Sequence, residues 1–130
     1  MKRLLIIDDI AEIRRLIRLV SMNRYVVTEA ANAEEGLAII RSERPDMVLL
    51  DVNMPGEMDG LQMLETMRDD PDIADTPVVM MTGRGLPSDR YFAAVLGASA
   101  YFCKPFSPLE LADRIETLLA TGVSQRNDPY

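Results

Sequence analysis

The 130 residues contain no histidine, no tryptophan and a single cysteine, Cys103. Without histidine, zinc sites of the His type, Ser-His-Asp triads and a phosphohistidine carried on these residues are excluded. One cysteine rules out an intrachain disulfide and suits a reducing compartment. Cys103 itself falls in an apolar run, which predicts a buried, inert thiol. Basic residues are also in short supply: 14 Lys and Arg stand against 21 Asp and Glu, for a net charge of −7. Such a balance, with no Lys/Arg block, is poorly suited to neutralising nucleic-acid phosphates, so direct nucleic-acid binding is not expected. Long apolar runs are missing as well. The N-terminal run Leu4–Ile7 is too short for a signal peptide, and nothing approaches a membrane span. A cytoplasmic location without membrane insertion follows as the expectation. No Gly-x-Gly-x-x-Gly opens the chain, and Gly83-Arg84-Gly85 is too short to cradle a phosphate.

What is present is a strict alternation. Short apolar runs at Leu4–Ile7, Tyr25–Thr28, Met47–Leu50, Val78–Met81 and Ala100–Cys103 read as five strands. Five stretches of helical period lie between and after them. The first places Ile10, Ile13, Leu16, Ile17 and Val20 on one face, with Glu12, Arg14, Arg15 and Arg18 opposite. The second starts at Asn32 with Glu35 three residues on, and the third follows Asp59-Gly60. The fourth follows Pro87-Ser88, and the fifth opens with the capping sequence Ser107-Pro108-Leu109-Glu110. In the fifth, Leu111, Ile115, Leu118 and Leu119 form the stripe expected to be buried. Alternating β and α units with continuously apolar strands argue for a parallel sheet covered by helices on both faces, an α/β doubly wound fold. A domain over residues 1–120 and a flexible tail over 121–130 are expected.

In such a fold the ligand crevice lies beyond the carboxyl ends of the strands. The first strand ends in Asp8-Asp9, the third in Asp51, the fourth in Thr82 and the fifth in Lys104-Pro105. Any one of these could be a cap or a turn residue, and their joint placement is harder to credit to capping. Two carboxylates about 5 Å apart at an effective dielectric near 20 repel by roughly 3 kcal/mol. Three of them raise one another's pKa values or draw in a cation. Lys104 offsets part of that charge, and a hard divalent ion such as Mg²⁺ suits carboxylates, a backbone carbonyl and waters. An aspartate kept ionised beside a cation is a competent nucleophile for phosphorus, giving an acyl phosphate.

Taken together, Asp8-Asp9, Asp51 with Met54-Pro55 and Asp59-Gly60 following, Thr82, and Lys104-Pro105-Phe106 resemble the receiver domain of two-component response regulators, over about residues 2–120. The 22 positions from Thr82 to Lys104 match the family's spacing. The resemblance implies a flavodoxin-like fold with strand order 2-1-3-4-5 and a phosphoacceptor role for Asp51, supplied by a partner phosphohistidine. It implies Mg²⁺ held by Asp8, Asp9, Asp51 and the backbone carbonyl of Asn53, with Asp9 the more direct ligand of the first pair. Lys104 would contact the phosphoryl oxygens, aimed by a cis Lys104–Pro105 bond. Thr82 and Tyr101 match the switch pair. Partners are then a histidine kinase or histidine phosphotransfer protein and a downstream protein target, with a stand-alone signalling domain expected rather than an enzyme.

The chain also departs from the family pattern. Three residues, Gly56-Glu57-Met58, separate Pro55 from Asp59-Gly60 where two are typical, so the loop is expected to bulge. Gly83 replaces the usual Ala after Thr82, and Arg84 stands where a side chain can shield the phosphoryl group. The fourth helix carries Tyr91, Phe92, Val95 and Leu96. These either divide between core contact and a rest on its edge, or form a sticky surface with the fifth strand and fifth helix for a target or a dimer. The arginines of the first helix are either its solvated face or a partner contact. Two rival readings of the site are a Mg²⁺-dependent phosphohydrolase and a binding module that is never phosphorylated. Phosphohydrolases resembling the haloacid dehalogenase family want a second acid two residues after the nucleophile, where Asn53 stands, and the full residue set argues against the binding module.

Overall fold

Successive residues of a strand point to opposite faces, so a strand apolar at every position must be covered on both sides. The computed structural model describes residues 1–83 and 85–121 and shows that arrangement. The elements run β1 (Arg3–Ile7), α1 (Ala11–Ser21), β2 (Val26–Ala30), α2 (Ala33–Glu43), β3 (Met47–Asp51), α3 (Gly60–Asp69), β4 (Val78–Thr82), α4 (Pro87–Val95), β5 (Ala100–Cys103) and α5 (Pro108–Thr121). One sheet in the order β2-β1-β3-β4-β5 results, parallel throughout. This is the flavodoxin-like α/β fold.

The pleat sorts the core into two layers. Leu5, Ile7, Val48, Leu50, Val78 and Met80 join residues of α2 and α3 and Ala93 of α4 on one side of the sheet. Leu4, Ile6, Met47, Leu49, Val79 and Met81 join α1 and α5 on the other. Each such side chain, fully removed from water, contributes roughly 1.5–3 kcal/mol. Local signals set the helix starts. Asn32 Oδ1 accepts the Glu35 amide at 2.8 Å, and Asp59 and Gln62 form a reciprocal capping box with both bonds at 2.9 Å. Ser107 Oγ accepts the Glu110 amide, and Pro87 occupies the first turn of α4.

Several expectations need correction. β2 begins one residue later than expected and runs on through Glu29 to Ala30. As an edge strand it has one neighbour and tolerates a carboxylate that arginines can reach. Ile17 is buried on α1, whereas Ile10 and Leu16 are exposed, because α1 meets the sheet through a narrower stripe than its apolar content suggests. Cys103 is exposed, not buried: burial fades along the short edge strand β5, from Ala100 and Tyr101 outward to the thiol. On α4 the core contact is made by Ala93 alone among buried residues, while Tyr91, Phe92 and Val95 are 67%, 55% and 63% exposed. These three side chains therefore face outward instead of sharing the core, with Leu96 packed against it. Beyond Thr121, the expected tail lies outside the described residues. No helix among the described residues is long and apolar enough to cross a membrane.

Candidate phosphoacceptor site

Because the strands are parallel, their carboxyl ends meet at one edge, and the strand order reverses between β1 and β3 at that edge. Asp51 closes β3 and Thr82 closes β4, while Asp8 and Asp9 follow β1 and Lys104 follows β5. Carboxylate oxygens of Asp8, Asp9 and Asp51 all lie within 4.8 Å of one another. Asp8 and Asp51 are buried, and Asp9 is exposed at the mouth of the site. Lys104 Nζ donates to Asp8 Oδ2 at 2.8 Å and stands 3.3 Å from Asp51 Oδ1. The Lys104–Pro105 bond is cis.

Each acid is held by local backbone. Asp8 Oδ1 accepts the Ile10 amide at 2.9 Å, so it serves the turn into α1 and the site together. Asp51 Oδ1 accepts the Asn53 amide at 3.3 Å. The chain then returns onto Asp51: the Gly60 amide donates to Val52 O at 2.9 Å, and a Cβ on Gly60 would lie 2.0 Å from the Asp51 backbone oxygen. Only hydrogen fits there, which accounts for the Asp59-Gly60 pair. In the loop between, Gly56 lies in open space at φ +104°, while Met54 is buried and Met58 packs on the core.

Burial and the neighbouring Asp8 carboxylate push the Asp51 pKa up to about 6, against the opposing pull of Lys104 and the Asn53 amide. Burial lowers the Lys104 pKa, but its hydrogen bond to Asp8 and the charges of Asp51 and Asp8 outweigh that and raise it overall. The lysine thus remains an ammonium wedged between two acids. Three hard carboxylate donors with one exposed member fit a small divalent cation such as Mg²⁺.

Thr82 and Tyr101, the pair matched to the family's switch, lie one layer further. Thr82 is buried, and the Asn53 side-chain amide donates to its Oγ1 at 3.3 Å. Tyr101 is turned inward, 8% exposed. Burial raises its pKa, against the lowering effect of hydrogen bonding with Thr82. Arg84 lies outside the described residues.

Two arginines of α1 have a role the sequence reading missed. Arg14 donates to the Asp8 backbone oxygen at 2.6 Å and to Glu29 at 3.1 Å, and Arg18 reaches the other Glu29 oxygen at 2.7 Å. They tie α1 to β2 and to the acidic loop, instead of being merely solvated. The signal that could have found them is Glu29, a charge inside a strand that requires a partner.

The scan of family models and the searches of known proteins agree with this geometry. A model described as the response regulator receiver domain matches residues 4–116. A probable transcriptional regulator ycf27 of Cyanophora paradoxa is 43% identical over 119 residues, 91% of this chain and 48% of its own length. The phosphate regulon transcriptional regulatory protein PhoB of Pseudomonas aeruginosa is 35% identical, over 98% of this chain and 56% of its own. The chain thus spans about half the length of the curated relatives it matches. Among solved structures, a CheY-like receiver domain protein of Methanospirillum hungatei superposes with a TM-score of 0.86 at 32% identity, covering 94% of this chain and 96% of that one. Chemotaxis protein CheY4 of Vibrio cholerae gives 0.82 at 30% identity, covering 90% and 98%. With its acids, hydroxyl and lysine gathered at one sheet edge and 113 consecutive positions (4 to 116) matched by the family model, this chain belongs to the receiver domains of two-component response regulators.

Proposed function

We propose that Asp51 accepts a phosphoryl group from a phosphohistidine on a partner protein and that the product state changes a protein-binding surface. The observation that carries this reading is the Lys104 ammonium between Asp8 and Asp51, 2.8 and 3.3 Å away, beside a third carboxylate. Asp8, Asp9, Asp51 and the Asn53 carbonyl would hold Mg²⁺, which when bound supplies positive charge to the transferring oxygens. Asp51 offers the attacking oxygen: its bond to phosphorus forms as the donor's N–P bond breaks, and the imidazole keeps the electron pair. Lys104 stabilises charge on the phosphoryl oxygens, and Thr82 donates a hydrogen bond to one of them. Drawing Thr82 toward the phosphoryl group favours the state with Tyr101 inward by differential affinity.

The phosphodonor is a histidine kinase or a histidine phosphotransfer protein, since these residues contain no histidine of their own. The readout surface is the exposed apolar face of α4 with β5 and α5, which takes a downstream protein target or a second copy. Relatives named as transcriptional regulators suggest an output in gene control. At a net charge of −7, this domain would exert it through another protein or another domain rather than by touching DNA. A cytoplasmic setting and a receiver domain spanning residues 1–120 belong to the same proposal.

The test is incubation with a small phosphodonor and Mg²⁺, followed by intact mass measurement. Wild type should gain one phosphoryl group that is stable in acid and lost in base, and Asp51→Asn should gain none. Continuous turnover of an aryl phosphate would point instead to a phosphohydrolase. Absence of any adduct on a folded, Mg²⁺-loaded sample would overturn the reading.

A further inference from the structure

We infer that Arg90 of α4 is a positioning residue that clamps the Tyr101 ring inward before any phosphoryl group arrives. The Arg90 guanidinium carbon lies 5.2 Å from the centre of the Tyr101 ring. Its Nη2 reaches on to Cys103 Sγ at 3.6 Å. Tyr101 and Cys103 are two apart on β5 and therefore share the face of the strand that looks toward α4. One side chain from α4 thus spans both. No carboxylate among the described residues forms an ion pair with Arg90, and its Nε has no hydrogen-bond partner in the described residues. The guanidinium is therefore placed by the ring and the sulfur, not by a competing acid.

A cation over the face of a tyrosine ring is attracted by the ring's quadrupole, and more strongly where water is thinned out. The ring is nearly buried, so the contact acts on the inward position and is lost when the ring swings out. A contact present in one state and absent in the other shifts the balance between them. Arg90 therefore lowers the cost of the inward state in the resting protein and links the position of α4 to that of the ring. The meaning of this clamp for signalling rests on the proposed phosphoacceptor role, while its existence does not.

The experiment uses the full chain labelled with 3-fluorotyrosine, with the Tyr101 resonance assigned through Tyr101→Phe. Fluorine spectra are recorded without and with Mg²⁺ and beryllofluoride, a phosphoryl mimic. In wild type the Tyr101 resonance should sit at a buried position from the outset and move little on adding the mimic. In Arg90→Ala the resting ratio of inward to outward ring should fall about three- to ten-fold, and the mimic should restore it. Arg90→Met keeps the length of the side chain without charge and should resemble Ala, whereas Arg90→Lys should recover part of the effect. The resonance of Tyr25, between α1 and β2 at the other edge of the sheet, reports general loss of structure and should stay put. A resting Tyr101 resonance unchanged in Arg90→Ala, or fully retained in Arg90→Met, overturns the clamp. A clear resting difference with no response to the mimic in any variant upholds the clamp and counts against the phosphoacceptor reading.

Discussion

Lys104 and Asp8 form the shortest charged contact of the site, 2.8 Å between Nζ and Oδ2, and both side chains are largely withdrawn from water. The same ammonium stands 3.3 Å from Asp51 Oδ1, so it offsets part of the negative charge that a divalent cation would also offset. Removing it separates two roles. Lys104→Ala should leave Mg²⁺ affinity unchanged or tighter by calorimetry, while phosphorylation of Asp51 slows by about 10²-fold, the usual cost of losing one aimed charge-stabilising donor. Weaker Mg²⁺ binding in the variant would contradict this division.

Asp51 binds its proton more tightly in the folded state, with a pKa near 6, because burial and Asp8 disfavour the charge. Ionisation therefore costs the fold stability above about pH 6, and the cost fades as pH falls through that value. With chelator present at pH 8, Asp51→Asn should be more stable than wild type by on the order of 3 kcal/mol, from the size of that shift. The advantage should shrink steadily between pH 6 and pH 4. Thermal melts across this range decide it, and Mg²⁺ should stabilise wild type more than the variant.

Glu29 has the opposite sign. Burial alone would raise its pKa, but hydrogen bonds and charge from Arg18 and Arg14 hold it below the ordinary glutamate value. Its contribution is fully present above the unfolded pKa and is lost as pH falls through the lower folded one. Glu29→Gln should cost about 1 kcal/mol at pH 7, as for a partly exposed ion pair. Denaturant curves of the two proteins should converge in acid.

Gly60 and Gly36 make a matched pair of substitutions. A Cβ at Gly60 meets the Asp51 backbone at 2.0 Å, whereas at Gly36 it meets the end of the Ile7 side chain at 2.5 Å, which can rotate. Gly60→Ala should therefore destabilise by more than about 2 kcal/mol and impair Asp51, and Gly36→Ala should cost about 1 kcal/mol or less. Equal effects would mean that the backbone of β3 yields as easily as a side chain.

Much of this was legible in the sequence because it rests on local rules. Unbroken apolar runs such as Met47–Leu50, set between helical stretches, read as central parallel strands, and Asp8, Asp51, Thr82 and Lys104 each lie at or just after the end of one, so the topology gathers them. What was not legible depends on reach across elements. Arg14 and Arg18 find Glu29 only once α1 lies beside β2, and Arg68 donates to the carbonyls of Ala74, Thr76, Leu96 and Gly97, a set no spacing announces. Cys103 and Tyr91 were misjudged or left open for a related reason: apolar character does not say how far an edge strand or a lightly seated helix extends into the interior.

The seating of α4 has a mechanical consequence. Its far end is gripped through Arg68, yet only the methyl of Ala93 is sunk into the protein along its length. A rod fastened at one end and lightly bedded elsewhere pivots instead of sliding. Its other end starts at Pro87, in the chain just after β4, and touches β5 through Arg90, so a displacement there tilts the whole exposed face, moving Tyr91 and Phe92 farther than Val95 beside the pivot.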